Sequence, residues 1–420
     1  MRVAVIGAGA AGLCALRHLT HQPRIQAVAF EQTKQLGGTW VYTENIGTDD
    51  LGLPVHSSMY ANLRTNLPKE VMAFPDHPFP TGGSSFISHV DVLDYLKSYS
   101  QHFNLEQFIK FSTSVENVEP ITREDASTVW KMVSREVVSG KEEHHEFDAV
   151  VVCNGHYSVP LIPKIKGLEG FKGQVMHSHN YRHPEDFSGK RVVLLGAASS
   201  GIDIGFDLAA TAKEIVLCHK KPPLKSLLPS NVRQAPGIKE FTATDIILDN
   251  DEIITDVDVM LFCTGYHYTF PFLHPSCHPE IKDERIPLYK HIISPDHPTL
   301  SFIGIPKQIC PFPEFNCQVQ FVLAGLTGRV PIPNRDEMNV DIETDFNERI
   351  SSGMAVRHAH HMGHRQWQYH QDLARLGQFD DLPLVFERMY FDVHSLRQTD
   401  LMTYKKYCFR VTGDESFERS

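Results

Sequence analysis

Two stretches of the chain show the same succession of apolar and polar positions. Near the N-terminus, Val3-Ala4-Val5-Ile6 is a short unbroken apolar run. Such a run marks a strand buried on both faces, because a half-buried strand would alternate. Gly7-Ala8-Gly9-Ala10-Ala11-Gly12 follows, then Leu13–Leu19 at helical spacing, then a second strand, Gln26–Phe30, stopping at the acidic Glu31. Strand, glycine turn, helix, strand and acid in that order predict a dinucleotide-binding βαβ unit.

The succession returns far downstream. Arg191–Leu195 reads as a strand, Gly196-Ala197-Ala198-Ser199-Ser200-Gly201 as the turn, Ile202–Ala212 as a helix that includes Asp203, and Glu214–Cys218 as the next strand. Ala198 replaces the middle glycine, where the backbone must approach a pyrophosphate closely, so the second match is expected to be the weaker one. The strand ends separate the two units chemically. Glu31 can accept hydrogen bonds from a ribose with free hydroxyls, as in FAD or NAD, whereas His219-Lys220-Lys221 can offset a 2′-phosphate, as in NADP.

A fainter echo ties the units together: Asp148–Gly155 and Asp258–Gly265 both run acid, apolar strand, Cys-x-Gly. Each reads as a strand that returns the chain to a domain crossing, with Pro160, Pro163 and Gly167 marking the first crossing. The simplest architecture is an α/β fold of two Rossmann-like dinucleotide-binding domains, the NADP domain inserted into the FAD domain. Residues 1–160 and 291–420 form the FAD domain and 161–290 the NADP domain in this reading.

Composition narrows the picture. The chain has 420 residues, 41% hydrophobic and 22% charged, enough to bury a large core and too apolar for a disordered chain. A net charge of −11 with no long basic run speaks against nucleic acid as a partner. No run approaches the roughly 18 apolar residues of a membrane span, and no signal peptide is visible, so a cytoplasmic location is expected. The eight cysteines are scattered without a Cys-x-x-Cys pair, which predicts buried free thiols and disfavours a disulfide reductase.

The segment Phe171-Lys172-Gly173-Gln174-Val175-Met176-His177-Ser178-His179-Asn180-Tyr181 fits the fingerprint FxGxxxHxxxY in full. With Gly37-Gly38-Thr39-Trp40, Thr65–Pro75 and Phe262–Tyr266, it makes the chain resemble the class B flavin-dependent monooxygenases, specifically the flavin-containing monooxygenases that oxygenate nitrogen and sulfur. Among these it is most similar to the short insect members, which include pyrrolizidine alkaloid N-oxygenases. The resemblance implies an enzyme that uses NADPH, FAD and dioxygen to form a peroxyflavin, from which a soft nucleophile, a tertiary amine or a sulfide, takes an oxygen atom.

Carried over residue by residue, the resemblance implies that Gly7, Gly9, Ala10, Ala11, Gly12 and Glu31 hold FAD, with Gly38, Thr39, Trp40, Thr65 and Gln318 on its flavin side. It implies that Gly196, Ser199, Ser200, Gly201, Asp203, His219, Lys220 and Lys221 hold NADP. Asn66 is the implied catalytic residue, an amide that can orient retained NADP against the flavin without changing charge. Phe171, Gly173, His177 and Tyr181 form the fingerprint, which need not touch a ligand. Val319-Gln320 departs from the usual residues after Gln318. Two alternatives stay open: Baeyer–Villiger oxygenation of ketones, whose sequences usually carry Trp in place of Tyr181, and a non-oxygenating FAD/NADP-binding redox module. Homo-oligomerisation is compatible with the sequence. The histidines between His358 and His364 have spacings that could ligate a metal if helical, but no neighbouring acid or cysteine completes a set, and no metal is expected.

Overall fold

The structure, a computed structural model, describes residues 1–125 and 127–420. Two five-stranded parallel sheets organise it. The first runs, edge to edge, Leu300–Phe302, Ala149–Val152, Arg2–Ile6, Gln26–Phe30 and Ile109–Lys110. The second runs Val232–Ala235, Glu214–Cys218, Arg191–Leu195, Val259–Phe262 and Gln174–His177. Their central strands are equivalent: Ile6 lies opposite Phe30 on one side and Val152 on the other, as Leu195 lies opposite Cys218 and Phe262. Complete burial of Val3, Ala4, Val5, Val192, Val193 and Leu194 explains why both sequences lack alternation.

Helix Ala10–Thr20 covers the first sheet and packs against helix Pro311–Leu326, which in turn packs on helix Arg365–Gly377. C-terminal segments therefore complete the N-terminal layer, and one hydrophobic cluster contains Leu13, Val71, Phe312, Phe321 and Leu373 together. The echoed segments return to the sheets as expected, each pairing in parallel beside the glycine-turn strand. Just beyond them, Tyr266 pairs antiparallel with Pro160 and His267 with Val159, so the two crossings lie side by side.

The second helix differs from its expected bounds, spanning Ser199–Leu208 instead of 202–212. It starts inside the glycine turn, and it stops early because Asn231 Nδ2 donates to the carbonyls of both Ala209 and Ala212, at 3.0 Å each, removing any need to continue the ladder. Among the described residues no helix is long and apolar enough to cross a membrane. All eight cysteines are free thiols, seven of them buried.

Candidate functional site

Both glycine turns deliver a helix N-terminus with unsatisfied backbone N–H groups. Helices His89–His102 and Arg335–Ser351 close their starts with capping boxes, Ser88 with Asp91 and Asn334 with Glu337. Helices Ala10–Thr20 and Ser199–Leu208 have neither a side-chain cap nor an acid in the first turn. Their N–H groups and positive dipole ends are left for an anion. The turns share one steric lock. A Cβ on Gly12 would stand 1.9 Å from the Gly7 carbonyl oxygen, and one on Gly201 1.8 Å from that of Gly196. Gly7 and Gly196 have φ of +102° and +117° and back onto the carbonyls of Cys153 and Cys263, where the echoed strands end.

Around the first turn, Gly38 lies over Gly9, whose added Cβ would sit 3.4 Å from the Gly38 Cα. Ala10 and Ala11 form the buried first helical turn. Glu31 is buried beside the turn, Oε2 accepting from the Ala8 N–H and Oε1 from the Thr33 N–H, both at 2.9 Å. Thr39 Oγ1 is buried without a partner, and Trp40 is half-buried, its ring edge-on to Phe312. Thr65 pairs with Ile87 through backbone and Oγ1. The next residue, Asn66, is half-buried, and among the described residues its amide makes no hydrogen bond, unlike a loop cap. Gln318 lies fully buried on helix Pro311–Leu326. Its Oε1 accepts from the Gly304 N–H at 2.9 Å, and its Nε2 donates to Tyr369 Oη and Glu314 Oε1, so its amide is spent on holding the loop after strand Leu300–Phe302.

At the second turn, Ala198 carries no strain: it is exposed, with the extended backbone (φ −94°, ψ −168°) that any residue adopts. Gly9, the equivalent position of the first turn, has the same extended backbone (φ −75°, ψ −171°). Ser200 is exposed, and Ser199 Oγ accepts from Arg397 at 3.2 Å. Asp203 pairs with Lys405 at 3.0 Å. Arg397 and Lys405, from the C-terminal segment, were invisible to motif reading because isolated cations carry no local pattern. His219 is buried, its ring nitrogens facing the Lys221 carbonyl and Gln234 Oε1. Lys220 reaches Asp249 at 3.1 Å while remaining largely exposed, and Lys221 is exposed.

The fingerprint residues pack on and beside the second sheet, with Tyr181 also meeting Tyr60 of the N-terminal segment. Phe171 packs on Phe241, and a Cβ on Gly173 would meet the Phe171 ring at 2.6 Å. His177 is buried edge-on to Tyr266, and burial, aided by neighbouring His179, pushes its imidazole down to about 4. Beside it the buried Arg182 guanidinium donates to the carbonyls of Thr43, Asn45 and Ser57 in one segment and to His179 and Tyr181 in the other. Tyr181 Oη donates to Asp207 Oδ2 at 2.6 Å, while Asp207 Oδ1 accepts from Asn62. Tyr181→Phe is expected to cost about 1–3 kcal/mol by leaving that carboxylate short of a donor. Urea unfolding with an unchanged midpoint would contradict it.

The histidine-rich segment is not one helix: a short 3-10 turn, Val356–His358, precedes helix Arg365–Gly377. His360 is spent on the Ile286 N–H and on His291, and His364 stacks on Phe391. Among the described residues no cluster of three or more ligating side chains could hold a metal.

Two parallel sheets, each with an uncapped glycine-turn helix, define a two-nucleotide oxidoreductase architecture. The chain matches the family model "Flavin-binding monooxygenase-like" over residues 1–224 and 222–414. It is 38% identical to flavin-containing monooxygenase FMO GS-OX-like 4 of Arabidopsis thaliana, with 96% of this chain and 93% of that one covered. Its structure is similar to that of S-allyl-L-cysteine S-oxygenase from Allium sativum, at 35% identity and a TM-score of 0.88, covering 96% and 94% of the two chains. Cyclohexanone monooxygenase, at 15% identity and a TM-score of 0.61 over 90% of this chain and 97% of that one, shares the fold alone. The chain belongs to the flavin-binding monooxygenase-like family and is a flavin-containing monooxygenase; Baeyer–Villiger oxygenation is not favoured.

Proposed function

We propose that this enzyme oxygenates soft nucleophiles, thioethers foremost and tertiary amines by the same chemistry, at the expense of NADPH and dioxygen. The observation that carries the reading is the repeated uncapped turn with opposite chemistry at the adjoining strand end, Glu31 at the first and Lys220 with Lys221 at the second. In this reading residues 1–160 and 267–420 hold FAD and residues 161–266 hold NADP, the second boundary falling well before 290 because Phe270, Phe272, Ile286 and Leu288 pack in one cluster with Ala4, Ile6 and Phe30 of the first sheet. The Gly7–Gly12 turn, closed to a Cβ at Gly7 and at Gly12, and the partnerless Thr39 Oγ1 fit a bound flavin nucleotide. FAD, when bound, supplies electron transfer from NADPH and the activation of dioxygen.

The chain's residues do the rest. N–H groups at Ala10, Ala11 and Gly12 bind one pyrophosphate and those at Ser199, Ser200 and Gly201 the other, while Gly38, Thr39, Trp40 and Thr65 wall the flavin from water. Asn66 orients the nicotinamide amide with its uncommitted side chain, and Lys220 and Lys221 neutralise the 2′-phosphate. For a thioether the balance is one sulfur lone pair gaining one oxygen atom, the second oxygen leaving as water with a hydride from NADPH and one proton from solvent. Eight unpaired thiols fit a reducing compartment such as the cytoplasm.

Incubation with a thioether, a tertiary amine and a ketone is expected to give sulfoxide and N-oxide; an ester as the main product would overturn the reading. Changing Lys220 and Lys221 together to Ala should weaken NADPH by about 1–3 kcal/mol while sparing NADH. An unaltered ratio of kcat/KM for the two nucleotides would remove both lysines from the phosphate site.

A further inference from the structure

Past the carboxyl end of strand Leu300–Phe302, Lys307 lays its ammonium over the face of Tyr268, Nζ lying 4.2 Å from the ring centroid. Its backbone is pinned, the N–H donating to the His360 carbonyl and the carbonyl accepting from Met362, both at 2.9 Å. Among the described residues no carboxylate lies within 4.0 Å of this Nζ. Glu284, the acid whose charge reaches it, is committed elsewhere: Oε1 to His267 Nδ1 at 2.6 Å and Oε2 to the Tyr268 N–H at 3.2 Å. The other titratable groups facing Lys307 are imidazoles. Burial pushes His156 and His361 down to about 3, and lowers His358, with Lys307 adding to the effect in each case. Burial likewise brings Lys307 down to about 8, against the pull of Glu284. His156 Nε2 is enclosed and has no partner.

In a chain of net charge −11, this is a half-buried cation backed by an aromatic ring and imidazoles held neutral, with no carboxylate in direct contact and its one nearby acid, Glu284, bonded to other groups. A cation so placed is costly unless a ligand completes it. It stands at the edge where doubly wound sheets bind ligands, outside the carboxyl ends of their strands. Its charge reaches His156, and contacts lead from there to the segment that carries Thr39. His156 follows Gly155, whose added Cβ would lie 3.1 Å from His56 Nε2, and the next residue, Ser57, donates through Oγ to the Thr39 carbonyl at 2.8 Å.

We propose that Lys307 anchors a carboxylate on the substrate, making this enzyme selective for thioethers that carry an acid group. The proposal rests on the thioether reading above. A phosphate of NADP is the other anion within reach, because His358 and His361 also face Lys221.

The test compares wild type, Lys307→Met, which keeps the stem over Tyr268, and Lys307→Arg, which keeps the charge. Each is assayed on a thioether carboxylic acid and its methyl ester, with KM for NADPH and flavin content measured in parallel. Lys307→Met is expected to lose about 10- to 100-fold in kcat/KM on the acid, mostly through KM, and to change little on the ester. Lys307→Arg should restore most of the loss. Equal losses on acid and ester, or a wild type indifferent to the acid group, would overturn the anchor and leave sulfoxidation standing. A rise in KM for NADPH with an unchanged acid-to-ester ratio would assign the anion to the nucleotide instead. A wild type that oxygenates neither thioether would overturn both readings.

Discussion

Asn66→Ala is expected to keep its flavin and to go on consuming NADPH while its yield of oxygenated product falls about 10²- to 10³-fold, the usual loss when one preorganised polar group leaves a water-poor site. Reducing equivalents would leave as hydrogen peroxide. The reason lies in how Asn66 differs from its neighbour. Thr65 is tied to Ile87 through its backbone and hydroxyl, so it fixes the segment, whereas Asn66 follows it half-buried with its amide uncommitted. Deleting that amide removes no internal hydrogen bond, so the fold should be untouched. NADPH consumed, peroxide released and product formed, measured together, check the result. A product-to-NADPH ratio equal to that of wild type would strike Asn66 from the catalytic machinery.

Gly12→Ala and Gly201→Ala form the second large-effect experiment, because the same overlap is introduced at both turns and only the ligand differs. Methyl groups 1.9 Å and 1.8 Å from the Gly7 and Gly196 carbonyls must push strand and helix apart, which spoils the cradle and costs about 1–3 kcal/mol of stability. Gly12→Ala should purify without bound flavin. Gly201→Ala should stay yellow yet need at least about tenfold more NADPH to reach half its maximal rate, a shift of about 1.4 kcal/mol. Loss of flavin from Gly201→Ala but not from Gly12→Ala would reverse the assignment of the two units.

Much of this architecture was readable in the sequence because it rests on local rules. Parallel strands buried on both faces must be apolar throughout, a turn that closes on its own carbonyl must use glycine, and both rules leave contiguous marks at residues 3–12 and 192–201. What escaped depends on contacts remote in sequence. The early end of the second helix follows from Asn231, well beyond the turn. Gln318 matched a family position, yet its amide is spent on Gly304, Glu314 and Tyr369, partners that no spacing rule brings together. Arg397 at Ser199, and Lys307 over Tyr268, are single cations whose meaning comes only from what the fold sets beside them. The fingerprint was legible as a motif but not as a device. Its Tyr181 serves by bonding Asp207, and its neighbour Arg182, outside the pattern, ties two segments through their carbonyls.

The two-residue pairing of Val159–Pro160 with Tyr266–His267 bears on how such a chain can be assembled and taken apart. Everything between these residues, the whole second sheet included, leaves and re-enters at a single point, while all five strands of the first sheet lie outside that interval. Excising it would sever no strand of the host and would leave a gap about as wide as one strand pairing, roughly 5 Å. The second unit is thus a cassette: a gene fragment could enter or leave there without rewriting the sheet around it. The shared steric lock and the echoed Cys-x-Gly ends give that cassette the same internal plan as its host.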